Sequence, residues 1–274
     1  VPLAPAWGWE SGYYPCHGTM VLGVLAAQDN GYGVTGLVPE AEIMVVSPYA
    51  AAQEYNIGAA VLGAIDLLNP GDVLLIEQQS YALGSYAPVE VAPDVWDAIA
   101  MAVAAGIVVV EPGANGGANL DADEWEGWFD RGLRDSGAIM VGGGTWPGSG
   151  YSPGQWYPNG SSFGSRIDLH GWYGGIATTS HDTAIDSYCS SPDLFFEGAE
   201  QAYTSRFGGT SGASPMIASV VTVAQSVGWV VRGTPWDPMD LRQAIAGSGS
   251  PSTGEEWIGP MPDLGYFLRT WGWR

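Results

Sequence analysis

Apolar runs alternate with glycine-rich polar breaks along most of this chain, and their spacing predicts alternating helices and strands. Residues 16–27 begin with polar and Gly positions and turn into an apolar helical pattern. Residues 57–68 read as a helix with Ala59, Ala60 and Ala64 as small packing residues. Residues 72–77 read as a buried strand, 95–105 as a helix, and 107–111 and 137–142 as strands. A strand-like run at 42–46 follows the turns of 28–41. Farther on, 203–209 reads as a strand feeding an apolar helix that runs through Gln225, and 240–246 as a further helix. Helices between short β-branched runs predict an α/β fold, a mostly parallel sheet covered on both faces with right-handed crossovers. Ligands in such folds gather at the carboxyl ends of the strands.

Three stretches near those ends carry candidate chemistry. In Phe207-Gly208-Gly209-Thr210-Ser211-Gly212-Ala213-Ser214-Pro215, a tight glycine turn delivers Ser211 to the start of a helix. There the positive end of the helix dipole and free N–H groups favour a developing oxyanion, and Pro215 suits a first turn. His17, in Cys16-His17-Gly18-Thr19, sits at another helix start. Asn115 lies in Pro112-Gly113-Ala114-Asn115-Gly116-Gly117, directly after the 107–111 strand. Taken one at a time, these are a buried helix start, a structural histidine and ordinary turn chemistry. His170 and His181 read as structural or exposed, and the acidic, aromatic loop 119–135 is expected to border a substrate cleft.

Composition narrows the partners. With 274 residues, 46% of them hydrophobic, the chain is long and apolar enough for one large domain over 1–274. Acidic residues outnumber basic ones 29 to 8, there is no Lys, and the net charge is −21. That surface repels nucleic acid and anionic membranes, so neither is an expected partner. The longest apolar runs, such as 99–110, are too short to span a bilayer. Cys16 and Cys189 fit one disulfide in a secreted, extracellular protein or two free thiols. No signal peptide begins at Val1, so the chain is expected to be processed or cut from a precursor.

Together, Gly-Thr-Ser-Gly-Ala-Ser-Pro around Ser211, His-Gly-Thr-x-Val-x-Gly from His17, and the Gly-Ala-Asn-Gly-Gly turn at Asn115 resemble the motifs of the subtilisin-like serine proteases, the subtilases. The resemblance covers roughly residues 16–270 and implies a subtilisin-like three-layer fold. It makes Ser211 the nucleophile, His17 the general base, and the Asn115 amide a donor to the tetrahedral oxyanion. Gln78, Gln79 and Ser80 stand where the family's Ser-Leu-Gly edge borders the specificity pocket, and Gly113 and Ala114 flank the same cleft by analogy. The loop from Gln28 to Val34 resembles one that wraps a structural calcium, with the carbonyls of Gln28, Tyr32 and Val34 and the Asn30 side chain as ligands. No cofactor is expected in the chemistry. The implied partner is a peptide or protein substrate.

The family's triad acid does not match. It belongs at the end of a strand well before the histidine, yet the only acid upstream of His17 is Glu10. Three explanations stand: an Asp on an upstream segment, retained as an N-terminal fragment after autoprocessing of the precursor; substitution by Glu10; or a pseudoprotease that binds peptides. Losing a central strand would expose two unpaired inner edges, which favours the first. An esterase on the same nucleophile is disfavoured, because the Gly-x-Ser-x-Gly elbow is absent.

Overall fold

A computed structural model describes residues 15–49, 55–180, 193–196 and 201–272. The chain opens with α1 (Pro15–Ala26) and α2 (Ile57–Ile65), followed by β1 (Val73–Leu75) and a hairpin of β2 (Ser80–Ala82) and β3 (Ser85–Ala87). Helix α3 (Pro93–Ala104), β4 (Val108–Pro112), β5 (Ile139–Gly144) and β6 (Leu169–Trp172) complete the central layer. Then come β7 (Ile176–Thr179), β8 (Phe195–Phe196), β9 (Ala202–Phe207), α4 (Thr210–Arg232), α5 (Pro238–Ser248) and α6 (Leu264–Thr270). The main sheet is parallel, in the order β1-β4-β5-β6, and β7, β9 and β8 form a small antiparallel sheet beside it. Apart from the run at 42–46, the predicted strands and helices are present, with ends shifted by a few residues.

Local chemistry sets the helix ends. Asn56 accepts the Ala59 N–H at 2.8 Å to start α2, and Asp263 accepts the Tyr266 N–H at 2.7 Å to start α6. Asp237 caps α5, with Pro238 in its first turn. One face of the sheet packs against α1, α4, α5 and α6 through Val21, Val24, Ile217, Val221, Leu241 and Phe267. The other packs against α2 and α3 through Val61, Val95 and Ile99. Both faces are therefore covered, which is why β4 and β5 are apolar and buried at nearly every residue. Helix α4 spans 23 residues and is apolar enough to cross a membrane by length and composition. Its contacts with β1, β4, β5 and β6 make it the central core helix here.

Two expectations change. Residues 42–46 form no ladder and are exposed or half-buried, because among the described residues no neighbouring strand offers them hydrogen bonds. Between them and β1 lies a cleft whose walls include Met44, Val46, Val73 and Leu75. The residues of β1 are only half-buried, as befits the open edge of the sheet among the described residues. The acidic loop 119–135 does not border that cleft. Its Trp125 and Phe129 are buried with Met140, Ile167 and Ile258, and its Asp121 accepts hydrogen bonds from Ser165.

A buried charge cluster ties the far side together. Arg166 is fully buried, with Nε 2.8 Å from Glu90 Oε1 and Nη1 2.7 Å from Asp168 Oδ2. Ser136 donates to Glu90 at 2.6 Å, and Asp168 accepts the Met140 N–H of β5 at 2.8 Å. Arg242 of α5 pairs with Asp135 at 2.6 Å. Burial raises Glu90, but the Arg166 charge and its hydrogen bonds outweigh it and hold the carboxyl below its ordinary range. Removing one partner from such a set leaves buried charge uncompensated. Arg166→Met is therefore expected to lower unfolding free energy by about 3–5 kcal/mol. Arg206→Met, which breaks an exposed pair with Asp193, should cost less than about 1 kcal/mol. Urea unfolding of both variants checks this, and equal losses would contradict it.

Candidate active site

Ser211 is the second residue of α4, carried there by backbone that only glycine tolerates. Gly209 has φ 76° and ψ 179°, and it offers no side-chain cap to the helix. A Cβ on Gly208 would lie 2.9 Å from the Gly174 Cα, and one on Gly212 would lie 2.6 Å from the Ile176 side chain. The turn is thus clamped between β7 and the loop before it. The first N–H groups of a helix have no partner within it. The Thr210 N–H goes to Asn115 Oδ1 at 2.9 Å, while among the described residues none accepts from the Ser211 N–H. That free N–H and the helix dipole favour negative charge beside the Ser211 hydroxyl.

Asn115 is aimed by strain. Ala114 adopts φ 70°, is fully buried, and its carbonyl accepts the Ser162 N–H at 3.0 Å. A left-handed non-glycine residue costs of order 1–3 kcal/mol and is held only where its surroundings demand it. Asn115 Oδ1 then accepts from both the N–H and the hydroxyl of Thr210, at 2.9 and 3.1 Å. Its own N–H donates to Gln79 Oε1 at 2.9 Å, and its Nδ2 reaches the same oxygen at 3.3 Å. The carboxamide is fixed from both sides, with a second Nδ2 hydrogen left over.

His17 lies in the first turn of α1, half-buried, with its ring edge-on to Phe207 at 6.1 Å between centroids. The helix is tied to β7 by Thr178 and Thr179, whose hydroxyls donate to the Met20 and Thr19 carbonyls at 2.6 and 2.7 Å. Cys16, next to it, is disulfide-bonded; Cys189 lies outside the described residues. Burial alone pulls the His17 pKa below its ordinary value, with no carboxylate opposing it. The imidazole is a neutral base without an acid partner among the described residues. Glu10 lies outside them.

His17, Asn115, Ser211, Gln78 and Gln79 line one cleft of about 1880 Å³. Ser80 sits on β2, paired with β3, and does not reach its wall. Neither do Gly113, whose N–H donates to the Val141 carbonyl at 2.8 Å, or the buried Ala114. Gln28, Asn30, Tyr32 and Val34 belong to a largely exposed loop away from it. His170 is a core residue whose Nδ1 meets the Gly259 carbonyl at 2.7 Å, and His181 lies outside the described residues. One group on the cleft wall escaped the sequence reading. Glu77, just past β1, is half-buried as a residue, but both carboxylate oxygens are shut away from solvent, and among the described residues neither has a hydrogen-bond partner of good geometry. Burial drives its pKa well above the carboxylate range, opposed by the Ser211 hydroxyl beside it. A lone acid closing an apolar strand was the available signal.

The sequence profile of the subtilase family matches residues 9–248. The chain belongs to the subtilase family. Among solved structures, this subtilase resembles fervidolysin from Fervidobacterium pennivorans, a keratinolytic enzyme related to subtilisin, at 19% identity and TM-score 0.66. That match covers 94% of this chain and 36% of fervidolysin, so the chain spans about a third of that relative's length. The self-cleaved protease domain of PatA matches at 16% identity and TM-score 0.68, covering 99% of this chain and 88% of the other. The PatG macrocyclase in complex with peptide matches at 14% identity and TM-score 0.64, covering 96% and 70%. At these identities the likeness is one of fold. No curated protein sequence matches the subtilase described here.

The turn before Ser211 is testable directly. A Cβ at position 209 would sit 3.2 Å from Asn115 Oδ1 on backbone at φ 76°. Gly209→Ala is expected to lose about 1–3 kcal/mol of stability and to disturb the Asn115–Thr210 clasp. Thermal unfolding checks the first effect, and the Thr210 amide and Asn115 carboxamide resonances check the second. Unchanged melting with unchanged resonances would show that this backbone is unstrained.

Proposed function

We propose that this subtilase is a secreted serine endopeptidase acting through Ser211 and His17. The observation that carries the reading is the cleft shared by a helix-borne hydroxyl, a neutral imidazole and a clamped carboxamide. In the proposed step, the Ser211 oxygen bonds the scissile carbonyl carbon as His17 takes its proton. The carbonyl π pair becomes the oxyanion, held by the Ser211 N–H and the Asn115 amide. Collapse breaks the C–N bond, and His17 returns the proton to the leaving amine. Water then releases the acyl group by the same route. Gln78 and Gln79 are the groups of the cleft wall proposed to meet the peptide chain.

The acid that orients His17 is proposed to arrive on an upstream segment. The cleft runs from Ser211 past the open edge of β1 to Thr222, Gln225 and Trp229 of α4, with residues 42–49 as its opposite wall. An inserted parallel strand would pair with β1 and give 42–46 the neighbour they lack. A carboxylate at that strand's end would meet His17. This makes an N-terminal fragment of the same precursor, produced by autoprocessing, the expected partner chain. The disulfide at Cys16 fits an extracellular location. A structural calcium at the 28–34 loop would compete with bonds already made, since Asn30 Oδ1 accepts the Tyr32 N–H at 3.0 Å and the Gln28 carbonyl accepts the Asn30 N–H. Those oxygens fit a cation poorly as they stand, and no step depends on one.

A fluorophosphonate probe is expected to label the protein once, at Ser211. Ser211→Ala should abolish labelling, and His17→Ala should slow it by about 100-fold or more. Intact mass of the protein matured in its own producing cells should reveal a second polypeptide bearing an Asp at the end of a hydrophobic run. Absent labelling, with peptide binding retained, would favour the peptide-binding pseudoprotease instead.

A further inference from the structure

Glu77 is the unexplained group of the cleft. Its carboxyl oxygens are buried, and among the described residues neither has a partner of good hydrogen-bond geometry, although the Ser211 hydroxyl lies beside them. A buried polar group without a partner is costly, and persists where a ligand completes it. Among the described residues no cation neutralises it. The cleft also carries His17 on α1, Asp72 at the start of β1, Tyr86 on β3, Tyr173 after β6 and Arg206 on β9. None of these moves its titration; burial and the Ser211 hydroxyl do. An isolated carboxyl in such a place is held as the neutral acid, with one O–H to donate. Meanwhile the Asn115 carboxamide is partly committed, its Oδ1 to Thr210 and one Nδ2 hydrogen to Gln79.

We propose that Glu77 is a further catalytic residue, a neutral carboxylic acid that donates its O–H to the oxygen becoming negative when Ser211 attacks. The assignment rests on Ser211 being the nucleophile. No proton is transferred outright: the O–H shortens toward the oxyanion as the carbonyl π pair moves onto it and relaxes on collapse. A carboxylic acid kept neutral by an apolar site serves other enzymes as an oxyanion donor in this way. Ionising Glu77 would replace that donor with a negative charge, so activity falls on the alkaline side as Glu77 gives up its proton. Protonation of His17 sets the acid side. Burial moves the imidazole downward and the carboxyl upward.

The test compares Glu77→Gln, Glu77→Leu and the parent in the full mature protein. Gln keeps a donor but cannot ionise: it should hold kcat/KM within about 10-fold and remove the alkaline limb of the pH profile. Leu should lower kcat/KM by about 10²–10³. Full activity in Glu77→Leu, or an alkaline limb that survives in Glu77→Gln, would overturn the assignment. So would loss of activity in Glu77→Gln with its fold intact, which would make the carboxylate a base. A readout independent of turnover accompanies these. Folded Glu77 keeps its proton where the unfolded chain releases one, so parental stability should fall relative to Glu77→Gln as pH rises above the ordinary carboxylate range. Parallel stability–pH curves would refute a neutral Glu77 outright. Fluorophosphonate labelling of the parent separates the two readings. No label on Ser211 removes the nucleophile, whereas labelling together with either refuting result removes only the role of Glu77.

Discussion

Two hydrogen bonds from Thr210 to one oxygen of Asn115 hold this site together. They join the loop after β4 to the turn before α4, elements 95 residues apart in sequence and adjacent only through the parallel sheet. Each bond contributes modestly to stability, about 1 kcal/mol. Their larger effect is directional. With Oδ1 committed to Thr210 and the backbone N–H committed to Gln79, the carboxamide keeps one orientation and its remaining Nδ2 hydrogen one direction. The glycines at 208, 209 and 212 let the helix start approach closely enough for that clasp to close. Catalytic geometry of this kind is built from backbone that larger residues cannot follow, on a scaffold whose fully buried strands do not shift.

The same sheet explains the weakest part of the fold. β4 and β5 have neighbours on both sides and are buried throughout, whereas β1 has one neighbour and is half-buried. Strand-forming residues at 42–46 lie across the cleft from it without a ladder. Open parallel edges over an apolar trough are a liability for association, and under the proposed function a strand from elsewhere in the precursor would both complete the sheet and close the trough. A carboxylate delivered by that strand would raise the His17 pKa back toward its ordinary range. Basicity of the imidazole and completeness of the sheet are then one event.

Much of this was legible in the chain. That Ser211, His17 and Asn115 line one cleft could be anticipated because their positions depend on local chemistry, glycine turns and helix starts written in adjacent residues. What failed was whatever depended on a distant neighbour. Residues 42–46 have strand character, but a strand exists only when paired. The 119–135 loop looked like a solvated rim, because its carboxylates outnumber the Trp125 and Phe129 rings that bury beneath it. Glu77 ended a run read as a buried strand and was given no role in the chemistry. Only the packing of α4 over β1 shows that it faces inward, against Ser211.

Glu77 and Glu111 make a useful contrast. In each, both carboxyl oxygens are buried near the end of a parallel strand without a hydrogen-bond partner of good geometry among the described residues, and burial drives each carboxyl upward. Glu111, however, lies 3.7 Å from Arg166 and within the influence of Glu90 and Asp168, so its neighbours are the charges of a structural cluster. Its carboxyl is one more element in a set that balances itself. Among the described residues Glu77 has no such set: the group acting on it is the Ser211 hydroxyl, and it lies on the wall of the cleft. A carboxyl that served only stability would be better replaced by an amide or an aliphatic side chain at that position. The cost of burying it is offset if the compensating interaction is made with what enters the cleft, when charge develops on the substrate.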